Sequence, residues 1–143
     1  TFFYEALKRN GYKDANQWSG ISGYRVDNFS HFLIPITTGA HWILIDLDFE
    51  RGVLNVYDSY MKKYNSIVKD IVGFLEFQGV PPLKINFPSV PLQTTSYDCG
   101  MFVLKFATMI YENQTITEDS FTQNDLIQFR KNVKDILSKY LEE

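Results

Sequence analysis

The sequence predicts an α+β domain, with a central antiparallel sheet built on one hairpin and a buried helix that carries the only cysteine at its N-terminus. Three observations lead there. Trp42 to Phe49 and Val53 to Ser59 are β-branched and aromatic runs flanking Glu50-Arg51-Gly52, the pattern of a hairpin around a short turn. Met101 to Tyr111 is apolar almost all round, which describes a helix sunk in a core. The other periodic segments repeat at helical spacing and gather before and after the hairpin, an order that separates α+β from an alternating α/β chain.

Taken in order, Thr1 to Asn10 reads as a helix with Phe2, Phe3, Ala6 and Leu7 on one face, stopped by Gly11. Trp18 follows in a polar loop, as a packing anchor by virtue of the area an indole buries. His31 has no carboxylate at useful spacing along the sequence and reads as structural. After the hairpin, Tyr64, Ile67, Val68, Ile71, Val72 and Leu75 recur at helical spacing until Gly79 and Pro81-Pro82, and Lys62-Lys63 is the solvated start of that helix. Lys84 to Val90 is a short extended segment broken by Pro88.

The buried helix is expected from Cys99 to Asn113, with Asp98 as its N-cap and Lys105, Thr108 and Glu112 as its one polar stripe, so that it is the least exposed helix of the fold. A polar connector from Gln114 to Ser120 leads to a last helix capped by Thr122 or Asn124. Leu126, Phe129, Val133, Ile136, Leu137, Tyr140 and Leu141 form its expected buried face.

Composition bounds the function. At 143 residues, with 45% hydrophobic and 16% aromatic residues, the chain suits one globular domain over residues 1 to 143. A net charge of -3 gives no case for nucleic acid or an anionic membrane. One Cys makes no disulfide framework, which fits a reducing nuclear or cytosolic compartment, and one Cys with two His argues against structural zinc. No cofactor is expected. No apolar run approaches the ~20 residues of a membrane span, and no signal-peptide pattern opens the chain.

The chemistry centres on Cys99. In the first turn of a helix, unpaired backbone N–H groups and the positive end of the dipole favour a negative sulfur, the form that attacks carbonyls. A lone Cys otherwise reads as a small buried hydrophobe. His41 heads the hairpin and Asp58 closes it. A two-residue Glu50-Arg51 loop pairs Phe49 with Gly52, sets His41 opposite Tyr60, and projects His41 and Asp58 from one face; a three-residue loop reverses that parity. On the first register, His41 serves as base, Asp58 orients its imidazole and Cys99 is the nucleophile. Taken singly, His41 reads as a half-buried strand histidine and Asp58 as a turn residue. Gln93 lies in the loop before Cys99, where its amide and the Cys99 N–H can form an oxyanion hole.

His41-Trp42, Tyr57-Asp58-Ser59, and Gln93 followed by Asp98-Cys99-Gly100 closely resemble the catalytic motifs of the SUMO protease family, the Ulp/sentrin-specific cysteine peptidases. Phe2-Phe3-Tyr4, Gly11-Tyr12, Trp18 and Phe32 to Ile36 resemble that family's approach to its active site, so the likeness covers nearly the whole chain. The resemblance implies a papain-like fold and hydrolysis after the Gly-Gly tail of a ubiquitin-like modifier, SUMO first. It also implies His41, Asp58, Cys99 and Gln93 as catalytic residues, with Trp42 lining the substrate channel for the tail, and a monomeric enzyme acting on the modifier and its conjugates. Two departures stand out. Thr95-Ser96 replaces the family's common Asn-Gly, and nothing matches the acidic Trp-containing segment and helix with which the family's catalytic domain begins, so an N-terminally incomplete domain is expected. The other activities compatible with these parts are deneddylation or deubiquitination, acyl transfer with the same triad, and a catalytically idle modifier-binding module.

Overall fold

The computed structural model describes residues 2–13, 15 and 25–141; Trp18 lies outside them. Helix α1 (Phe2–Asn10) ends at Gly11, whose φ of +80° is the left-handed conformation that closes a helix. A 3₁₀ turn (Val26–Asn28) leads into β1 (His31–Thr37), β2 (Trp42–Asp48) and β3 (Val53–Tyr57). Then come α2 (Asn65–Phe77), β4 (Lys84–Asn86), α3 (Cys99–Tyr111) and α4 (Gln123–Leu141).

The sheet has the order β1-β2-β3-β4. Its first three strands are antiparallel, and the short β4 joins β3 in parallel, so the sheet is mixed at one edge. The β2–β3 ladder runs from Asp48 opposite Val53 to Leu44 opposite Tyr57, and residues 49–52 form a four-residue turn that keeps the register expected of a Glu50-Arg51 loop without the Phe49–Gly52 pair. Gly52 takes φ +67° there, and Asp48 accepts from the Arg51 N–H at 2.9 Å and the Arg51 guanidinium at 3.1 Å. Strand β1 is absent from the sequence reading, because Pro35 breaks its apolar run. As an edge strand β1 tolerates a proline, which pairs with Leu44 and faces solvent.

Alternation sends the two faces of the sheet into two cores. Ile43, Ile45, Leu47, Leu54 and Val56 pack with Phe3 and Leu7 of α1 and Ile67, Ile71 and Phe74 of α2. Leu44 and Tyr57 pack on the opposite face with Phe102, Phe106 and Met109 of α3 and Leu126 of α4. At ~25 cal/mol per Å² this twofold burial is the main stabilising term.

Two helix faces differ from expectation. Helix α3 exposes Leu104 and Tyr111, while Lys105 lies half-buried with its ammonium 5.0 Å from the Phe129 ring centroid. Thr122, just before helix α4, exchanges hydrogen bonds with Asp125 in a capping box. It buries only Leu126; Ile136, Leu137, Tyr140 and Leu141 are 54–87% exposed. A 19-residue helix is ~28 Å long, and only its first turns reach the α3 core. Apolar spacing marked a face, and the described residues supply no cover for its second half.

Candidate active site

The open ends of the hairpin and the first turn of α3 meet at one end of the sheet. His41 Nε2 lies 2.5 Å from Asp58 Oδ1, and the rings of His41 and Tyr60 stack with centroids 4.5 Å apart. The β2–β3 ladder ends at Leu44 opposite Tyr57, and the turn from Asp58, whose carbonyl accepts the Met61 N–H at 2.9 Å, brings Asp58 and Tyr60 up to His41. His41 and Asp58 are 9% and 3% exposed, so the pair is largely withdrawn from water.

Asp58 is also a turn residue. Its Oδ1 accepts the Tyr60 N–H at 3.0 Å and its Oδ2 the Lys62 N–H at 2.7 Å. The same hydrogen bonds that shape the turn lock the carboxylate against His41. Every neighbour is a donor, so the His41 Nε2–H donates too, and Nδ1 is left as the ring's acceptor. Burial, together with the nearby charge of Asp58, raises the phenol of Tyr64 above its ordinary value.

Gln93 is buried, and its backbone N–H donates to Ser59 O at 3.0 Å. Its Oε1 accepts from the Ser59 hydroxyl at 2.8 Å, and its Nε2 donates to Thr95 O at 2.6 Å and Tyr60 Oη at 3.2 Å. The Thr95 carbonyl can only accept, which fixes the orientation of the amide. Gln93 is thus tied to the turn that holds Asp58.

Cys99 opens α3 and is 6% exposed. Trp42, at the start of β2 and 36% exposed, stands over that turn; a Cβ added to Gly100 would lie 4.0 Å from its Cδ1. Asp98 occupies the N-cap position, yet its side chain makes no cap hydrogen bond. Its carboxylate instead takes hydrogen bonds from Thr95 Oγ1 at 2.6 Å, from Gln123 Nε2 at 2.7 Å and from the Arg130 guanidinium. The cap expectation fails because two α4 donors outcompete the local N–H groups for a carboxylate that is 3% exposed.

A second polar cluster lies at the other end of the sheet. His31 Nδ1 is 2.8 Å from Asp46 Oδ1, across the β1–β2 ladder, which supplies the carboxylate that linear spacing hid. Asn55 donates to Asp46 at 3.3 Å and Asn86 to Asn55 at 2.9 Å, within a cleft of about 440 Å³ that Asp48 and Arg51 also line. Burial raises the Asp46 carboxyl above its ordinary value, although His31 and Asn55 pull it down. Tyr57 is pushed up to about 12 by burial and by Asp46 and Asp48. His31, Asp46 and Asp48 could group around a cation, but every one of these carboxylate oxygens already has a protein partner.

The profile of the Ulp1 protease family, C-terminal catalytic domain, matches residues 1–142. The chain belongs to the Ulp1 protease family. Sentrin-specific protease 2 of Pongo abelii is 30% identical over 92% of this chain and 23% of its own length. Sentrin-specific protease 3 of Homo sapiens is 28% identical over 93% of this chain and 24% of its own length. The chain therefore spans about a quarter of the curated relatives it matches. The Ulp1 protease domain solved in complex with Smt3, the yeast ortholog of SUMO, has a TM-score of 0.78 at 22% identity, over 90% of this chain and 61% of that one. The Chaetomium thermophilum Ulp1-like SUMO protease catalytic domain has a TM-score of 0.75 at 20% identity, over 91% and 56%. The Ulp1 fold is thus the fold of this chain, α+β as the sequence predicts. Within this family member, sequence reasoning missed the Arg130–Asp98 link, which spans 32 residues and leaves no local signal. The Tyr60–His41 stack had one, in the two-residue reading of the hairpin loop.

Proposed function

We propose that this domain is a cysteine peptidase that hydrolyses the bond after the C-terminal Gly-Gly of a ubiquitin-like modifier, SUMO in the first place, in precursors or conjugates. The observation that carries the reading is the His41 Nε2–Asp58 Oδ1 hydrogen bond of 2.5 Å, made by the hairpin end that meets the first turn of α3, where the only cysteine stands. Membership of the family and the sentrin-specific relatives support the choice of substrate.

In this reading Asp58 holds His41 with Nε2 protonated, and His41 Nδ1 takes the proton of the Cys99 thiol. The thiolate, favoured by the N-terminus of α3, adds to the carbonyl of the last glycine. The Gln93 amide and the Cys99 N–H hold the oxyanion, and His41 returns its proton to the leaving amine. Water then releases the acyl group from sulfur. Trp42, over the Cys99 turn, lines the approach of the Gly-Gly tail to the sulfur. No helix among the described residues is long and apolar enough to cross a membrane, and the unpaired thiol suits a nuclear or cytosolic setting.

The test is a panel of C-terminal fluorogenic modifiers (SUMO, ubiquitin and the neddylation modifier) with Cys99→Ala as control. Turnover of the SUMO substrate that disappears in Cys99→Ala is expected. Turnover retained in that variant, or none on any substrate, overturns the reading.

A further inference from the structure

Tyr60 touches both halves of the candidate site, and no catalytic motif includes it. Its ring stacks on His41 at 4.5 Å with an interplanar angle of 23°. Its hydroxyl donates to Thr95 O at 3.0 Å and accepts from Gln93 Nε2 at 3.2 Å. It is 38% exposed, so burial alone does not account for an aromatic residue with this many directed contacts.

The three polar atoms form a nearly equilateral triangle, with Gln93 Nε2 to Thr95 O at 2.6 Å as its third side. Two acceptors at such corners subtend about 60° at Nε2, whereas the two N–H bonds of a primary amide diverge by about 120°. With one N–H aimed at Thr95 O, the shorter contact, Tyr60 Oη lies at least about 60° off the second N–H, which keeps its capacity for a further acceptor. Ser59, on Oε1, and Thr95 fix the plane of the amide. The Tyr60 hydroxyl completes the hold, by anchoring the carbonyl that the first N–H grips.

We propose that Tyr60 is a positioning residue of this site, whose ring holds His41 in the plane that faces Asp58 and whose hydroxyl aims the free N–H of Gln93 for the oxyanion. The proposal rests on the hydrolytic reading above, and it assigns separate consequences to the two parts of one side chain. Losing the hydroxyl weakens only a transition-state interaction. Losing the ring loosens the imidazole that takes the thiol proton.

The experiment compares Tyr60→Phe, Tyr60→Leu, Gln93→Ala and Tyr60→Phe/Gln93→Ala for kcat and KM on the modifier substrate and for the rate of iodoacetamide alkylation of Cys99 against pH. Tyr60→Phe should lower kcat about three- to ten-fold with KM within about two-fold, the size of one hydrogen bond, and should leave the alkylation profile in place. Tyr60→Leu should lower kcat further and move the alkylation profile to higher pH. The Tyr60→Phe effect should vanish in the Gln93→Ala background. A Tyr60→Phe loss that persists without Gln93, or a Tyr60→Leu profile identical to that of the unchanged protein, overturns the proposal; so does a parallel fall of kcat, alkylation rate and Tm in Tyr60→Phe, the mark of a purely packing role. Should the unchanged protein turn over no modifier, the hydrolytic reading fails, and the alkylation profiles still decide whether the ring positions His41.

Discussion

The carboxylate of Asp98, one residue before Cys99, is held by the guanidinium of Arg130 on α4 and not by the first turn of the helix it precedes. Gln123 and Thr95 complete the arrangement. The turn that presents the candidate nucleophile is thereby fastened to a helix that follows it in the chain.

Arg130→Ala should cost about 1–2 kcal/mol in urea unfolding, less than the ~3–5 of a fully buried pair because the Arg130 side chain is 47% exposed. Asp98→Asn with Arg130→Ala should cost less than the sum of the two single changes, since each removes the same contact. Strict additivity would show that the pair contributes nothing.

Cys99→Ala should abolish turnover yet still bind the modifier, because the contacts of the tail do not depend on the sulfur. His41→Ala should abolish turnover and move the alkylation profile of Cys99 to higher pH, while His31→Ala should leave that profile in place. A profile that moves in His31→Ala would assign the base to the wrong histidine.

Gln93→Ala should lower kcat ~10²–10³-fold, about 2.7–4 kcal/mol, with KM nearly unchanged. Alkylation should stay fast, since a haloacetamide reaction develops no oxyanion. Because Gln93 also ties Ser59, Thr95 and Tyr60, Tm should fall by a few degrees. Alkylation slowed as much as kcat would assign Gln93 to loop structure alone.

Asp46 predicts a pH dependence of stability. Its carboxyl keeps its proton to higher pH in the folded protein than in the unfolded chain, where it titrates near ~3.9. The folded state therefore holds more protons over that window, and the contribution of Asp46 is fully present below about pH 3.9 and lost as pH rises through the raised value. The stability of the unchanged protein minus that of Asp46→Asn, from urea midpoints between about pH 3 and 6, should fall with rising pH. A difference that rises instead would mean that His31 and Asn55 outweigh burial.

What the sequence revealed and what it hid divide by range. The hairpin was readable because alternation and a Gly-containing turn act between near neighbours, but its register was not, since two loop lengths of opposite parity fit the same residues and only the assembled ladder chooses between them. Cys99 at a helix start was equally local. Strand β1 was hidden by Pro35, whose tolerance depends on an edge position that only the assembled sheet defines, and with β1 went the His31–Asp46 pairing. Two of the three partners of the Asp98 carboxylate, Gln123 and Arg130, come from 25 and 32 positions away, beyond any local pattern. The α4 stripe was legible as a stripe; what covers it is a tertiary fact.

Pro35 has a consequence for how the domain behaves in a crowded solution. An outermost strand of seven residues would present a row of free donors to a passing extended chain, the geometry from which intermolecular sheets and fibrils grow. Proline has no N–H, and it stands near the middle of that outer edge. The opposite edge, β4, is only three residues long, too short to template much. Whatever this domain binds, its sheet must not accept extended chains indiscriminately, and here one imino acid and one truncated strand impose that restriction.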